Sequence, residues 1–399
     1  MEEVCVRVPS VWIAFGVAAT FGCASVPVPA RAADIFENVR ATSGAILDIN
    51  PSTRSVGMGG ASTAVFWGDG PNDWANPALL GSARGIRYTT SDVDLLPDAI
   101  PGFKFKTRKL TLGAGGLGLS LVGEPFDGLG EQRLEYGVYV TDYNPLAGTT
   151  IIFPKESERS WGAGVSLARG LASLAQWRGH DAPAWTRRGD VAFGLNRKTV
   201  TDNTFDPADP QHVVAYDWGA LARTSVPVHR MLGTMPGRFE LAYAFAVTNA
   251  NDATLYSTPT ARQHRNGGAM RSLIDLPATL SGRLPAWLAP GVTSLVALGF
   301  AYDVSHITAG SDDRGNSSIN SWGLELSAGG LVFGRVGGAH NSLGSGSTNN
   351  TWGLGAALPL GPWGAVHYDY AQVDRPFGGH MAPQSWAVVV DPVAIARRR

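Results

Sequence analysis

A glycine-rich motif is the first feature of this chain that could serve a chemical role. Residues 113–118, Gly-Ala-Gly-Gly-Leu-Gly, match the G-x-G-x-x-G spacing that holds the pyrophosphate of a dinucleotide. Such a site needs a helix directly after the glycines, because the N-terminus of that helix meets the pyrophosphate. The next residues, 119–125, alternate between large and small side chains as a strand does. The motif therefore indicates a strand, and no cofactor is expected.

The eight histidines do not suggest a metal site or a catalytic one. No two of them stand at i, i+4 or His-x-His spacing with a carboxylate partner, so no metal ion is expected. His340 and Ser342 invite a catalytic pairing, but Ser342 is not in a nucleophile elbow and has no orienting acid at a recognisable spacing. We therefore expect no catalytic residue and no enzyme.

The composition is typical of a membrane protein built from strands. Charged residues make up 16% of the chain, against about 25% in soluble domains, and 50 of the 399 residues are Gly. Mean hydropathy is near zero, at -0.01, and after the first 32 residues no apolar run reaches the length of a transmembrane helix. The net charge of -1 offers no field that would attract nucleic acid.

The first 32 residues have the layout of a cleaved signal peptide. An apolar stretch from Val11 to Val28 is followed by the small-x-small sequence Ala30-Arg31-Ala32, which predicts cleavage after Ala32. A membrane anchor is the alternative. Cys5 and Cys23 are the only cysteines, so the mature chain would have neither a disulfide nor a thiolate metal site.

Alternating side chains dominate the sequence from about residue 85 onward. In the segments 239–247 and 296–304, large apolar residues alternate with small or charged ones. A β-sandwich also alternates, but it exposes Lys, Glu and Thr on its outer face. Here the second face is mostly Gly, Ala and Ser, which suits the lumen of a barrel whose other face meets lipid. We predict an all-β fold, a transmembrane antiparallel β-barrel of about 14 strands over residues 85–392, followed by a basic tail at 393–399.

Six tryptophans are expected to stand at strand ends and to form a membrane girdle. An indole at headgroup depth buries its ring and keeps its N–H in water. Ordinary core tryptophan is the alternative. The girdle candidates are Trp161, Trp218, Trp322, Trp352, Trp363 and Trp386.

Two motifs near the N-terminus carry a resemblance to a known family. The segment 49–65, Ile-Asn-Pro-Ser-Thr-Arg-Ser-Val-Gly-Met-Gly-Gly-Ala-Ser-Thr-Ala-Val, resembles the leading motif of PorV/PorQ-like outer-membrane proteins, which are related to FadL-type long-chain fatty-acid transporters. The segment 74–79, Trp-Ala-Asn-Pro-Ala-Leu, is similar to a second family signature, with Ala75 inserted. The resemblance is strongest over residues 45–125. It implies a 14-stranded barrel in which an N-terminal segment, residues 33–84, fills the lumen as a hatch.

The hatch segment supplies most of the candidate functional residues. Glycine allows positive φ and close passage along the barrel wall. Asn76 is expected to end a short helical piece or to begin the first strand, because Pro biases the residue before it to extended geometry. Arg54 is expected either to pair with a lumenal carboxylate or to be a solvated turn residue. The carboxylate candidates are Glu240, Asp303 and Glu325. The ligand or hatch candidates are Arg54, Gly57, Met58, Gly59, Gly60, Val65, Phe66, Trp67, Asn76 and Pro77.

The resemblance leaves two functions open, and a third reading departs from it. As in FadL-type relatives, a monomer in the outer membrane of a Gram-negative-type bacterium would bind or pass hydrophobic small molecules, with an apolar pocket around Met58, Val65, Phe66 and Trp67. As in PorV-type relatives, the barrel would instead assist a protein secretion system and contact its proteins. The third reading is a secreted soluble β protein. The expected surroundings of the first two are outer-membrane lipids.

Overall fold

The computed structural model describes residues 45–392 with short gaps. The predicted signal peptide, residues 33–44 and the predicted basic tail lie outside the described residues. The gaps are 68–71, 96–102, 124–131, 137–138, 145–147, 153–154, 204–208, 233–234, 256–257, scattered positions between 278 and 293, 309–316, 342–347 and 376–378.

The strands form one closed antiparallel barrel and two small hairpins. β1 pairs with β2 on one side and with β20 on the other, which closes the sheet. β3 and β4 share one position between β2 and β7, and β19 and β20 both pair with β18, so the barrel has 14 strand positions. The hairpins are β5–β6 and β11–β12. The predicted barrel of about 14 strands is therefore confirmed.

The bounds of the strands are β1 Gly85–Asp94, β2 Phe103–Ala114, β3 Leu117–Val122, β4 Gln132–Tyr136, β5 Tyr139–Asn144, β6 Gly148–Ile152, β7 Lys155–Ser166, β8 Gly189–Asp202, β9 Gln211–Leu232, β10 Met235–Thr248, β11 Thr254–Leu255, β12 Thr258–Pro259, β13 Arg262–Ile274, β14 Val296–Thr308, β15 Ser317–Ala328, β16 Val332–Asn341, β17 Thr348–Pro359, β18 Gly364–Arg375, β19 Gly379–Met381 and β20 Gln384–Val390. The α-helices are α1 Thr53–Gly57 and α2 Leu167–Trp177, and the 3₁₀ helices are Ala45–Asp48, Pro77–Ser82, Ala184–Arg187 and Gly361–Trp363.

The predicted alternation becomes an apolar outer face and a small or polar inner face. On β15, Trp322, Leu324 and Leu326 are exposed, while Gly323 and Glu325 between them are buried. Exposed Leu, Val, Phe and Tyr side chains recur at the outward positions of β3, β8, β10, β14, β16 and β17. A continuous apolar outer band with a lined interior is the arrangement of a transmembrane barrel, and it argues against the soluble alternative.

The two ends of the barrel carry different connections. We call the end where β1 begins and β20 ends the terminal rim, and the opposite end the loop rim. At the terminal rim β2–β3, β9–β10, β15–β16 and β17–β18 are joined by short turns, and the two long connections 167–188 and 275–295 also lie there. The connections 203–210 and 249–261 lie at the loop rim. Outer-membrane barrels have short turns on the periplasmic side and longer loops outside, so the four short turns favour a periplasmic position for the terminal rim.

Three sequence expectations about local structure were wrong. The alternation that begins at Trp161 ends at Ser166, where α2 begins, and the sequence analysis predicted no helix there. Asn76 was expected to end a helical piece or to begin the first strand, but it caps the 3₁₀ helix Pro77–Ser82, and β1 begins only at Gly85. The Asn76 side chain accepts a hydrogen bond from the backbone N–H of Ala78, as an N-capping residue does. Pro77 fits the first helical position, because its fixed φ is helical and its missing N–H is not needed there.

The third wrong expectation concerns where the six tryptophans of the predicted girdle stand on their strands. Five of the six tryptophans lie within strands rather than at strand ends, and Trp363 lies in a 3₁₀ helix between β17 and β18. All six are exposed, by 38% to 61%. Their role as a membrane girdle stays a prediction. No helix in the part of the chain that the structure describes is long and apolar enough to span a membrane.

Candidate functional site in the barrel lumen

The N-terminal segment lies inside the barrel, and glycines of the wall let it approach. Six glycines stand directly opposite one another across six neighbouring strands: Gly85, Gly113, Gly118, Gly164, Gly194 and Gly219. A Cβ on Gly118 or on Gly194 would overlap the backbone of the 3₁₀ helix Pro77–Ser82. The small inner face therefore accommodates a segment of the same chain at backbone contact.

A second contact joins the turn after α1 to strands β15–β17. A Cβ on Gly323 would lie 2.6 Å from the Cβ of Met58, and one on Gly353 would lie 3.3 Å from the Cα of Gly57. Gly59 and Gly60 have φ values of +66° and +88°, and a residue with a Cβ adopts such values only at an energetic cost. These glycines allow the chain to turn where it touches the wall.

Arg54 and Glu325 form the centre of a charge network between the segment and the wall. The Nε and Nη2 atoms of Arg54 donate to the two carboxylate oxygens of Glu325 at 2.8 and 2.6 Å. Trp67 Nε1 donates to the same carboxylate at 3.0 Å, and Arg335 Nε donates to it at 2.7 Å. Arg335 also pairs with Asp369. Two cations thus face two carboxylates, and the Glu325 side chain is only 3% exposed.

Asp303 holds a second point of the segment by hydrogen bonds. Its Oδ2 atom accepts from the backbone N–H groups of Ser62 and Thr63 at 2.7 and 2.8 Å, and from the Thr63 hydroxyl at 2.7 Å. Asp303 is buried on β14, which pairs with β15, the strand that carries Glu325. The third candidate, Glu240, instead lies directly opposite Arg271 on β13.

Asn76 joins two parts of the segment to the wall. Its Oδ1 atom accepts from the N–H of Ala78 at 3.0 Å, and its Nδ2 atom donates to the carbonyl oxygens of Thr63 and Ala220 at 3.1 and 3.3 Å. Pro77 follows as the buried first residue of the 3₁₀ helix. The Asn-Pro pair therefore fixes where this helix crosses the lumen.

The apolar pocket expected around Met58, Val65, Phe66 and Trp67 does not agree with the packing. Met58, Val65 and Trp67 are each no more than 4% exposed, and Phe66 packs edge-on against Trp67 with ring centroids 5.3 Å apart. None of these four residues lines either of two cavities in the part of the chain that the structure describes. The wall glycines bring the backbone so close that these side chains fill the space themselves.

The larger cavity is polar and lies towards the terminal rim. It measures about 80 Å³, room for several water molecules. Four cationic side chains line it together with Asp73, Asp369, His367 and several hydroxyl groups: Arg54, Arg87, Lys109 and Arg335. The sequence analysis singled out only Arg54 among them, since the others come together through strand pairing alone.

The lumen near the loop rim contains a cluster of apolar side chains, and buried charges lie beside it, among them Glu156, Glu158, Lys198 and Asp217. We call the buried apolar side chains that meet there the loop-rim apolar cluster. Its members are Ile46, Leu47, Leu95, Phe103, Phe105, Leu134, Val200, Val213, Ala215, Ala253, Leu255, Val373 and Met381. Ile46 and Leu47 belong to the 3₁₀ helix Ala45–Asp48 and insert between side chains of the wall. The inner surface is therefore charged along its length, and the large apolar side chains are concentrated at the loop rim.

The wall is interrupted between β3 and β4. β3 pairs with β2 as far as Leu121, which faces Leu110, and β4 pairs with β2 from Gln132, which faces Thr107. Between these two points, Arg108 and Lys109 of β2 have no strand partner on the β3–β4 side among the described pairings. Lys109 turns inward and forms a buried ion pair with Asp73 of the N-terminal segment.

Solved structures show similarity to this chain over most of its length. The CymD monoaromatic hydrocarbon channel is 12% identical, and the match covers 86% of this chain and 97% of that one with a TM-score of 0.39. The Ralstonia pickettii toluene transporter TbuX is 11% identical, with 85% and 97% covered and a TM-score of 0.36. A Pseudomonas aeruginosa FadL homologue is 9% identical, with 85% and 98% covered and a TM-score of 0.37. No family model and no curated protein matches the chain.

The closed barrel, its apolar outer band and its two unlike rims place the protein in the outer membrane. Barrels cross membranes because closure leaves no unpaired edge in the hydrocarbon. Within this barrel the N-terminal segment and the lumenal charges form the candidate functional site.

Proposed function

We propose that this protein binds hydrophobic small molecules and passes them across the outer membrane, with the N-terminal segment acting as a hatch. The observation that carries the proposal is the loop-rim apolar cluster. A pore for hydrophilic solutes has a polar interior, whereas here buried Phe, Leu, Val and Ile form a cluster at the outer end of the lumen, next to buried charges such as Glu158 and Lys198. An apolar solute leaving water gains about 25 cal/mol per Å² of surface buried in such a lining.

The described state is closed. The polar cavity of about 80 Å³ is smaller than the roughly 300–1,000 Å³ that a drug-sized ligand occupies. Passage therefore requires that the N-terminal segment moves. Its ties to the wall are suited to release, because Arg54–Glu325 and the bonds to Asp303 are polar contacts that water can replace.

Two exits from the lumen are compatible with the proposal. A ligand either continues past the displaced segment towards the terminal rim, or leaves sideways through the interruption between β3 and β4. The sideways route passes Lys109, which also lines the cationic cavity. On either route the ion pair of Lys109 with Asp73 is next to the path.

Uptake of apolar probes tests the proposal. The protein is produced in a Gram-negative host that lacks its own channel for hydrophobic compounds, and uptake of radiolabelled oleate and toluene is compared with that of sucrose. We expect uptake of at least one apolar probe and none of sucrose. Phe105→Asn should abolish this uptake, because it places an amide in the apolar cluster, whereas Thr89→Asn places the same side chain in the polar cavity and should preserve it.

Both variants should still show the gel shift on boiling that marks a folded barrel. Equal uptake by the two variants would contradict the role of the apolar cluster. Sucrose uptake without oleate or toluene uptake would overturn the proposed substrate class. Co-purification with secretion proteins together with no uptake would favour the accessory role instead.

A further inference from the structure

Helix α2 at the terminal rim carries an apolar face that no part of the described chain covers. Leu167, Leu171 and Leu174 are exposed by 44%, 44% and 41%, and their spacing places them on one side of the helix. Trp177 at its end is 82% exposed, and Trp185 in the next 3₁₀ helix is 50% exposed. An isolated exposed Leu is ordinary, but a stripe of this kind marks a surface that meets another apolar phase.

The opposite side of α2 fixes it to the barrel. Ser166 caps the helix and also bonds to Asp190 at 2.8 and 2.9 Å. A Cβ on Gly116 would overlap the backbone N of Gly170, so the helix lies at backbone contact with the β2–β3 turn. The Arg169 side chain donates to the carbonyl oxygen of Ser82 in the N-terminal segment. The orientation of the apolar side is therefore set by contacts, and it points away from the lumen.

The apolar side continues the outer surface of the barrel. On β7 the outward positions are Trp161, Ala163 and Val165, and Leu167 is the next residue in this alternation. On the neighbouring strand β8, Val191 and Phe193 are also exposed. The lipid-facing band thus passes without a break from the strands onto α2.

The charges that follow α2 suit phospholipid headgroups. Exposed Arg178, Arg187 and Arg188 come directly after the apolar stripe, and Asp181 is the only acidic side chain between them. An amphipathic helix with Trp and Leu on one side and Arg beside it is typical of a segment that lies in the plane of a membrane interface. Arg near an anionic surface adds attraction to the headgroups.

We propose that α2 and the 3₁₀ helix Ala184–Arg187 form an interfacial element that lies in the periplasmic leaflet of the outer membrane, with its leucines and tryptophans among acyl chains and its arginines on anionic phospholipid headgroups. This inference depends on the barrel and its orientation, and it does not depend on the proposed transport. The Arg169 contact links this element to the end of the N-terminal segment, so lipid contact and hatch position are joined through one helix.

Quenching by spin-labelled lipid tests the position of the helix. Cys5 and Cys23 are replaced by Ser, and a single Cys carrying a bimane fluorophore is introduced by Leu174→Cys, with Gln176→Cys as the matched control on the other side of the same helix. The full chain is reconstituted in phosphatidylcholine vesicles with and without 5-doxyl phosphatidylcholine. We expect quenching at position 174 at least about threefold stronger than at 176, because an interfacial helix buries its apolar side about 5–10 Å deep.

Leu326→Cys on the outward face of β15 gives the quenching expected for full lipid contact. Quenching at 174 no stronger than at 176, with strong quenching at 326, would overturn the proposal and leave the stripe as a surface for a protein partner. For the headgroup part, spin-labelled phosphatidylglycerol should associate more than spin-labelled phosphatidylcholine, and R178Q/R187Q/R188Q should remove this difference. An unchanged preference in the triple variant would contradict the assigned role of the arginines.

Discussion

Replacing Glu325 by Gln should release the N-terminal segment from the wall. The carboxylate accepts two hydrogen bonds from Arg54, one from Trp67 and one from Arg335. The side chains of Glu325 and Arg335 are each 3% exposed, and that of Arg54 is 13% exposed. The Gln variant therefore leaves Arg54 and Arg335 close together, and among their ion-pair partners in the described part of the chain Asp369 remains, on Arg335.

Breaking a buried ion pair by removing one partner costs about 3–5 kcal/mol. Each 1.4 kcal/mol is tenfold in an equilibrium constant, so the displaced form of the segment should become about 10² to 10⁴ times more populated. Single-channel recording in planar bilayers measures this directly, because each displacement opens the lumen to ions. We expect open bursts in Glu325→Gln to be at least about a hundredfold more frequent than in the native protein.

The matched control is Glu135→Gln. Glu135 pairs with Lys106 at 3.0 Å, and both side chains are 30% to 40% exposed, so its loss should cost only about 0–1 kcal/mol. Adding Arg54→Gln to Glu325→Gln removes one uncompensated cation and should reduce the bursts, which gives the coupling energy of the pair. Bursts in Glu325→Gln no more frequent than in Glu135→Gln, with both barrels folded by the boiling test, would refute the anchoring role.

Three further predictions concern the same contacts. Asp303→Asn should speed hydrogen exchange of the Thr63 amide, since one amide oxygen replaces a carboxylate that accepts three bonds; unchanged exchange would contradict this. Gly267→Ala should lower the free energy of unfolding by about 1–3 kcal/mol through overpacking, because its Cβ would lie 2.9 Å from Thr63 Cβ. Gly268→Ala is the control and should be neutral, because a Cβ there meets nothing within 4 Å. The temperature at which each variant loses its gel shift compares the two. Lys109→Met should leave Asp73 buried and unpaired, at about 3–5 kcal/mol, and should expose the segment to protease; native-like resistance would count against that ion pair.

The strands could be predicted because each one carries its own signal. Alternation of Leu and Phe with Gly and Ala is local, and strand number follows from counting such segments. The inner glycines also indicated that the lumen holds something. Three carboxylate candidates for Arg54 could be named from the sequence, but Glu325 could not be singled out. That choice depends on the path of the N-terminal segment through the lumen, and Arg54 and Glu325 are 271 residues apart in sequence. No local pattern encodes such a distance.

Other features could not be predicted for the same physical reason or were overlooked. The cationic cavity brings Arg335 of β16 together with Arg87 and Lys109 of the paired strands β1 and β2, which are far from it in sequence. Helix α2 did leave a signal, with leucines at i, i+4 and i+7 after a Ser cap. It was hidden because Leu167 also continues the alternation of β7. The pocket expected at Met58 stays a prediction for a state in which the segment has moved, because in the described state Met58, Val65 and Trp67 are buried.

The central claim, that the N-terminal segment gates the lumen, is tested most directly by tethering it to the wall. A Cβ on Gly57 would lie 3.6 Å from the Cβ of Ala371, within the roughly 3.5–4.5 Å that a disulfide spans. Uptake of oleate and toluene is measured for Gly57→Cys with Ala371→Cys before and after reduction, with Ala371→Cys alone as the control. The account predicts no uptake when the pair is oxidised and recovery on reduction. Equal uptake in both states, with the disulfide verified, would contradict it.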